Sequence, residues 1–79
     1  MPTIGEVKDQ IKGKLMQVRL FGCASEWMQQ FNEIALAVGQ AVADDHGVSL
    51  EQARTLPDDT PLGPQAEVAY KSFCDFLAK

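Results

Sequence analysis

Three prolines within eight residues, Pro57, Pro61 and Pro64, put a break in this chain that no helix can cross. Each fixes its own backbone angle, lacks an amide hydrogen and keeps the residue before it out of the helical region. The segment 57–64, Pro-Asp-Asp-Thr-Pro-Leu-Gly-Pro, therefore reads as a stiff loop. The chain must fold in pieces on either side of it.

Upstream, Thr3 and Glu6 have the spacing of a capping box, and Ile4, Val7, Ile11, Leu15 and Val18 follow at helical spacing on one face. A first helix is predicted over about 4–20, with Gly22 as its stop. Gly5 and Gly13 each weaken it by about 1 kcal/mol relative to Ala, so it depends on packing. Ser25 is the expected cap of a second helix over about 25–45, in which Trp27, Phe31, Ile34, Val38 and Val42 form the apolar stripe. Gly47 ends it. Ser49 and Gln52 form another capping box and open a short helix over about 50–56 that Pro57 stops. A last helix starts near Pro64 and runs to about 78, gathering Ala66, Ala69, Tyr70, Phe73, Phe76 and Leu77 on one face, with Glu67, Lys71 and Asp75 paired weakly outside.

These segments predict one all-α domain, a small antiparallel bundle of three main helices and one short one. No stretch alternates apolar and polar residues over a strand's length. With 79 residues the core is thin, although an apolar fraction of 46% suffices to fold it. No apolar run approaches a membrane span and the first residues lack the layout of a signal peptide, so a cytoplasmic location is expected.

The net charge of −4 is unevenly spread. Lys8, Lys12, Lys14 and Arg19 outweigh Glu6 and Asp9 in the first 20 residues, while the remainder is strongly acidic. Such a surface repels nucleic acid and favours basic partners or simple solubility.

The segment Val42–Arg54 partly resembles a helix-turn-helix. Ala43, Gly47, Val48, Ala53 and Leu56 match its small, turn and apolar positions. His46 departs from the pattern, occupying a place where an apolar residue usually packs, and Pro57 leaves the second helix barely two turns long. The resemblance implies a steep helix corner. Its charge is wrong for DNA: against Gln52 and Arg54 stand Asp44, Asp45, Glu51, Asp58 and Asp59, each unfavourable near phosphate.

No catalytic, metal or cofactor residues emerge. Asp44, Asp45 and His46 are adjacent at a helix end and cannot all reach one ion unaided, and a His there suits the helix dipole. Asp58 and Asp59 are turn residues with no nucleophile beside them. Cys23 and Cys74 are too few and too distant for a zinc motif, and are expected as separate reduced thiols.

What remains is surface. Helical projection puts Met16 and Leu20 opposite the first helix's apolar stripe, Leu36 on the polar face of the second helix and Val68 outside the last. Lys8, Lys12 and Arg19 line one edge of the first stripe, positioned to skirt the core or to pair with the acidic strip of the second helix. Ala35, Gly39 and Ala43 would let another helix approach the second closely. These features predict a non-enzymatic protein-binding module, a small acidic inhibitor or modulator of a larger protein or complex. The small acidic proteins by which phages and mobile elements inhibit host machinery are a setting suggested by size and charge. The expected contact residues are Met16, Leu20, Glu26, Glu33, Leu36, Asp44, Asp45, Glu51, Asp58 and Asp59. One alternative is a DNA-binding regulator using Lys8, Lys12, Gln52 and Arg54; another is a small homodimeric structural protein.

Overall fold

Four helices form where the periodicities place them: α1 (Ile4–Phe21), α2 (Ser25–His46), α3 (Leu50–Arg54) and α4 (Pro64–Leu77). The computed structural model describes residues 2–78, and among these no strand forms. An isolated antiparallel bridge joins Thr3 to Pro61. The fold is all-α, as the sequence predicts.

The core lies mainly between α2 and α4, which run antiparallel. Phe31, Val38 and Phe73 are its largest fully enclosed side chains. Trp27 stacks on Phe31 with ring centroids 5.2 Å apart and on Phe76 at 5.4 Å, while Phe31 and Phe73 meet at 5.6 Å and a tilt of 52°. These separations fall in the range where aromatic pairs stabilise beyond simple burial. At the other end Ala43 and Ala66 are fully buried, and the loop residue Leu62 enters the core beside them. Leu62 was not legible as a core residue, being an isolated apolar side chain between prolines.

Two helix starts differ from expectation in an informative way. Thr3 Oγ1 accepts from the Glu6 amide at 3.3 Å, but the reciprocal half of the proposed capping box is absent. The loop does the rest: the Thr60 carbonyl accepts from Ile4 N at 3.0 Å and the Asp58 carbonyl from Gly5 N at 2.9 Å, while Leu62 N donates to the Pro2 carbonyl at 3.2 Å. Orphan amides that a helix start must satisfy are thus met by a distant segment. Gly5 is the residue that permits this approach, since a Cβ there would sit 3.0 Å from both the Cβ and the carbonyl oxygen of Asp58. The helix propensity lost at Gly5 is exchanged for a tertiary dock.

The N-cap of α4 is Gly63, which has no side chain with which to cap it. Asp45, near the end of α2, supplies the cap from outside: its Oδ2 accepts from the Ala66 amide at 2.8 Å. The carboxylate also sits at the positive end of the α4 dipole. Any side chain at position 63 would collide with that of Asp45. His46 closes the same corner with Nε2 3.0 Å from the Pro61 carbonyl, an acceptor that places the proton on Nε2.

Smaller corrections follow the same logic. Ala24 rather than Ser25 is the N-cap of α2, and no side chain caps it. The Ser49–Gln52 capping box is complete, but α3 ends two residues early at Arg54, leaving Leu56 to pack against the core from beyond the helix. Glu67, Lys71 and Asp75 do not close on one another; the one ion pair among the described residues is Lys8–Asp58, at 3.3 Å. Cys23 and Cys74 are both free thiols.

Asp45→Ala should destabilise the fold by about 1 kcal/mol, the usual value of a helix cap, lowering Tm by roughly 4–8 °C in a domain of this size; Asp45→Asn should retain part of the loss. Gly63→Ala should cost about 1–3 kcal/mol through overpacking against Asp45, readable in urea denaturation, and unchanged stability would refute the tight approach. Burial, then the hydrogen bond and charge of the neighbouring Cys74 side chain, then the Glu6 carboxylate, push the Tyr70 phenol from 10.0 up to about 12. The folded value is raised, so the stabilisation from the neutral phenol is whole below pH 10 and disappears as pH climbs to 12. A phenolate absorbance titration of native protein should therefore have its midpoint well above that of free tyrosine.

Candidate protein-binding surface

α1 does not belong to the α2–α4 core along its whole length. Ile4 and Val7 are buried beside the loop, Ile11 and Val18 are half-buried, and among the described residues α1 has no backbone packing comparable to that of α2 with α3 and α4. Leu15, expected in the apolar stripe, is 42% exposed. The cause is the dock itself. Held by its first turn against residues 58–62, α1 leaves its later turns with little to cover them.

The result is a set of exposed apolar side chains on the outer half of α1: Leu15, Met16, Leu20 and Phe21, the last 84% exposed. Met16 and Leu20 are where helical projection places them. Phe21 was missed, although it lies off the Ile4–Val18 stripe by the same projection and could have been found with them. Leu36 on α2 and Val68 on α4 are exposed as well. Patches of this kind on a small domain mark contact surfaces more often than scattered single residues do.

Two hollows flank α1. A groove of about 320 Å³ lies between α1, α2 and α3, with a floor of Ile4, Val7, Ile11, Ala35, Gly39 and Val42 and with Lys8, Leu36, Leu50 and Arg54 among its edges. Gly39 and Leu50 meet here, a Cβ on Gly39 falling 3.3 Å from the Leu50 Cδ1. So the small-residue stripe of α2 admits α3 at Gly39 and leaves Ala35 facing the groove. A second hollow of about 510 Å³ lies where Lys14, Val18 and Phe21 of α1 approach Trp27 of α2.

The acidic residues divide into two groups. Glu26, Glu33, Asp44, Glu51 and Asp59 are exposed with their charges outward, Asp44 accepting a 3.0 Å hydrogen bond from Gln40. Asp45 is half-buried and committed to the α4 amide, and Asp58 is committed to Lys8 through its side chain and to Gly5 through its carbonyl. Asp45 is therefore a structural residue rather than part of an open acidic face. The structure does not gather the ten expected contact residues on one side; Met16 and Leu20 adjoin each other, while Glu51 and Asp59 lie around α3 and the loop.

The residues named for DNA contact are likewise partly occupied. Lys8 Nζ donates to the Arg54 carbonyl at 3.1 Å and pairs with Asp58. The Gln52 side chain accepts from Ser49 N at 3.1 Å. Arg54 and Lys12 remain exposed, with α3 only 5 residues long. Among the described residues no cluster of His, Cys, Asp and Glu could hold a metal ion, and no helix is long and apolar enough to cross a membrane.

Because the outer half of α1 is peripheral to the core, Met16→Asp and Leu20→Asp should each change stability by less than about 0.5 kcal/mol, whereas Phe73→Ala should cost about 3–5 kcal/mol; thermal melts of the three variants would separate surface from core. Comparison of the chain with family models, curated proteins and solved structures finds no match.

Proposed function

We propose that this chain is a non-enzymatic protein-binding module that docks on a larger protein through α1 and modulates it. The observation carrying this reading is the uncovered outer half of α1, where Met16 and Leu20 stand side by side at 64% and 69% exposure on a helix anchored at one end. An amphipathic helix presented in this way offers anchors one turn apart to an apolar groove on a partner. Glu26, Glu33 and Asp44 on α2 do not border Met16 and Leu20, but their exposed charge suits long-range attraction of a partner with a basic surface, raising the rate of encounter more than the final affinity. A role as inhibitor, of the kind small acidic phage proteins perform, is the form of modulation that size and charge favour.

DNA binding has less to draw on. Of its four candidate residues, Lys8 is neutralised by Asp58 and Gln52 is held by Ser49. A recognition helix so short, with Glu51 outward and Asp58 and Asp59 beyond it, would face phosphate with mixed charge.

Affinity capture from source-cell lysate should recover a stoichiometric protein partner with the natural chain and lose it with Met16→Asp/Leu20→Asp, which keeps its helical dichroism. Recovery of no partner, or equal recovery by the variant, would refute the α1 reading. In parallel, a mobility shift at low salt weakened by Arg54→Ala would transfer the function to DNA.

A further inference from the structure

We propose that the cleft between α1, α2 and α3 is a binding site for a medium-chain aliphatic carboxylate, an anion of the fatty-acid class, whose chain lies between α1 and α2 and whose carboxylate meets Arg54. The site is distinct from the α1 surface above, since Met16 and Leu20 are not among the residues that line it.

The cleft follows from how α1 is held. The amides of Ile4 and Gly5 tie its first turn to Thr60 and Asp58, and Lys8 Nζ ties it to the end of α3 by donating to the Arg54 carbonyl at 3.1 Å. Beyond these ties α1 stands off from α2, without the close backbone packing that α2 shares with α3 and α4. Small residues widen the gap: Ala35 and Gly39 face it from α2, and Leu50 of α3 bounds it where it approaches Gly39. What is left is a space of about 320 Å³ with helices on three sides.

The lining selects the body of the ligand. Ile4, Val7, Ile11, Val42 and Leu62 are aliphatic, and among the described residues no aromatic ring lines the space, so a planar ligand has nothing to stack on. A flexible aliphatic chain fits such walls by burial alone. At about 30 Å³ per non-hydrogen atom, the share of one water molecule in the liquid, the space holds about ten atoms, the size of octanoate. Two turns of an α-helix, about 11 Å long and about 10 Å across, fill roughly 850 Å³. A partner helix is too large to enter.

The lining also selects the head group. Its polar members are Lys8, Asn32 and Arg54, and among the described residues no carboxylate lines it, although the chain carries 11 acidic residues. Lys8 is balanced by Asp58 at 3.3 Å. Arg54 is exposed and takes part in no ion pair among the described residues, and its planar fork of donors matches a carboxylate. A cationic head would be repelled here, and a neutral one would leave the guanidinium without a charged partner.

The test is titration of the isotope-labelled full chain with sodium octanoate, octanol and octylammonium, followed by amide chemical shifts and thermal melts. Octanoate should bind saturably with a Kd of about 1 mM or tighter, the range that ten atoms of modest ligand efficiency reach. It should shift the amides of Val7, Ile11, Ala35, Gly39 and Arg54 and raise Tm with its concentration. Octanol should bind about tenfold more weakly for want of a charge-assisted hydrogen bond, and octylammonium more weakly still. Arg54→Gln should bring octanoate down to the level of octanol and leave octanol unchanged. Ala35→Leu, which fills the cleft from α2, should abolish binding of both; circular dichroism checks that it is folded, and the shift map of the natural chain locates the site if it is not. Met16→Asp/Leu20→Asp should leave the octanoate Kd unchanged, so failure of this site and failure of the α1 surface are told apart. Shifts gathered at Met16, Leu20 or Trp27, equal affinity for octanoate and octylammonium, or undiminished binding by folded Ala35→Leu would each overturn the proposal. So would the absence of saturable binding, and a chain that then sediments as a dimer would give the cleft to a second copy.

Discussion

Two helix starts in this protein are completed by residues far away in sequence, and the arrangement of the whole chain depends on them. The first amides of α1 are met by the carbonyls of Asp58 and Thr60, and the Ala66 amide of α4 by the carboxylate of Asp45. A helix start left without partners costs free energy for every unsatisfied donor. Because the partners come from the loop and from the end of α2, satisfying them fixes where α1 and α4 lie. The proline-rich segment is thus the hub on which α1 hangs, with Leu62 as its plug into the core.

Anchoring at one end has a consequence at the other. α2 and α4 share an aromatic ladder from Trp27 to Phe76, and this half of the molecule is well packed. α1 shares only its first two turns with that core. Its later turns carry apolar residues without cover, which makes them a natural place for local opening and for contact with other molecules. Stability and exposure are divided along the sequence rather than averaged over it.

Charge follows the same division. The cationic residues concentrate on α1, the exposed carboxylates on α2, α3 and the loop, and a single ion pair, Lys8–Asp58, joins the two regions among the described residues. An exposed pair of this kind contributes little to stability. Most of the surface charge is therefore left for intermolecular use or for solubility. The corner between α2 and α3, which resembles a helix-turn-helix, serves packing: Gly39 admits Leu50, and Asp45 and His46 bind it to α4 and the loop.

The sequence by itself determined the four helices and their order, because apolar period, glycine stops and prolines are local signals that act within a few residues. It marked Met16, Leu20 and Leu36 as exposed for the same reason, each being off its helix's stripe. Tertiary structure alone decided that Asp45 caps α4, that Lys8 pairs with Asp58, that Leu62 is buried and that Leu15 is not. Each of these depends on which segments meet across 20 to 50 positions, and no periodicity encodes that distance. Gly5 and Gly63 show the limit: in sequence they read as a weak point and a loop residue, and only the close approach of Asp58 and Asp45 reveals why a side chain is excluded there.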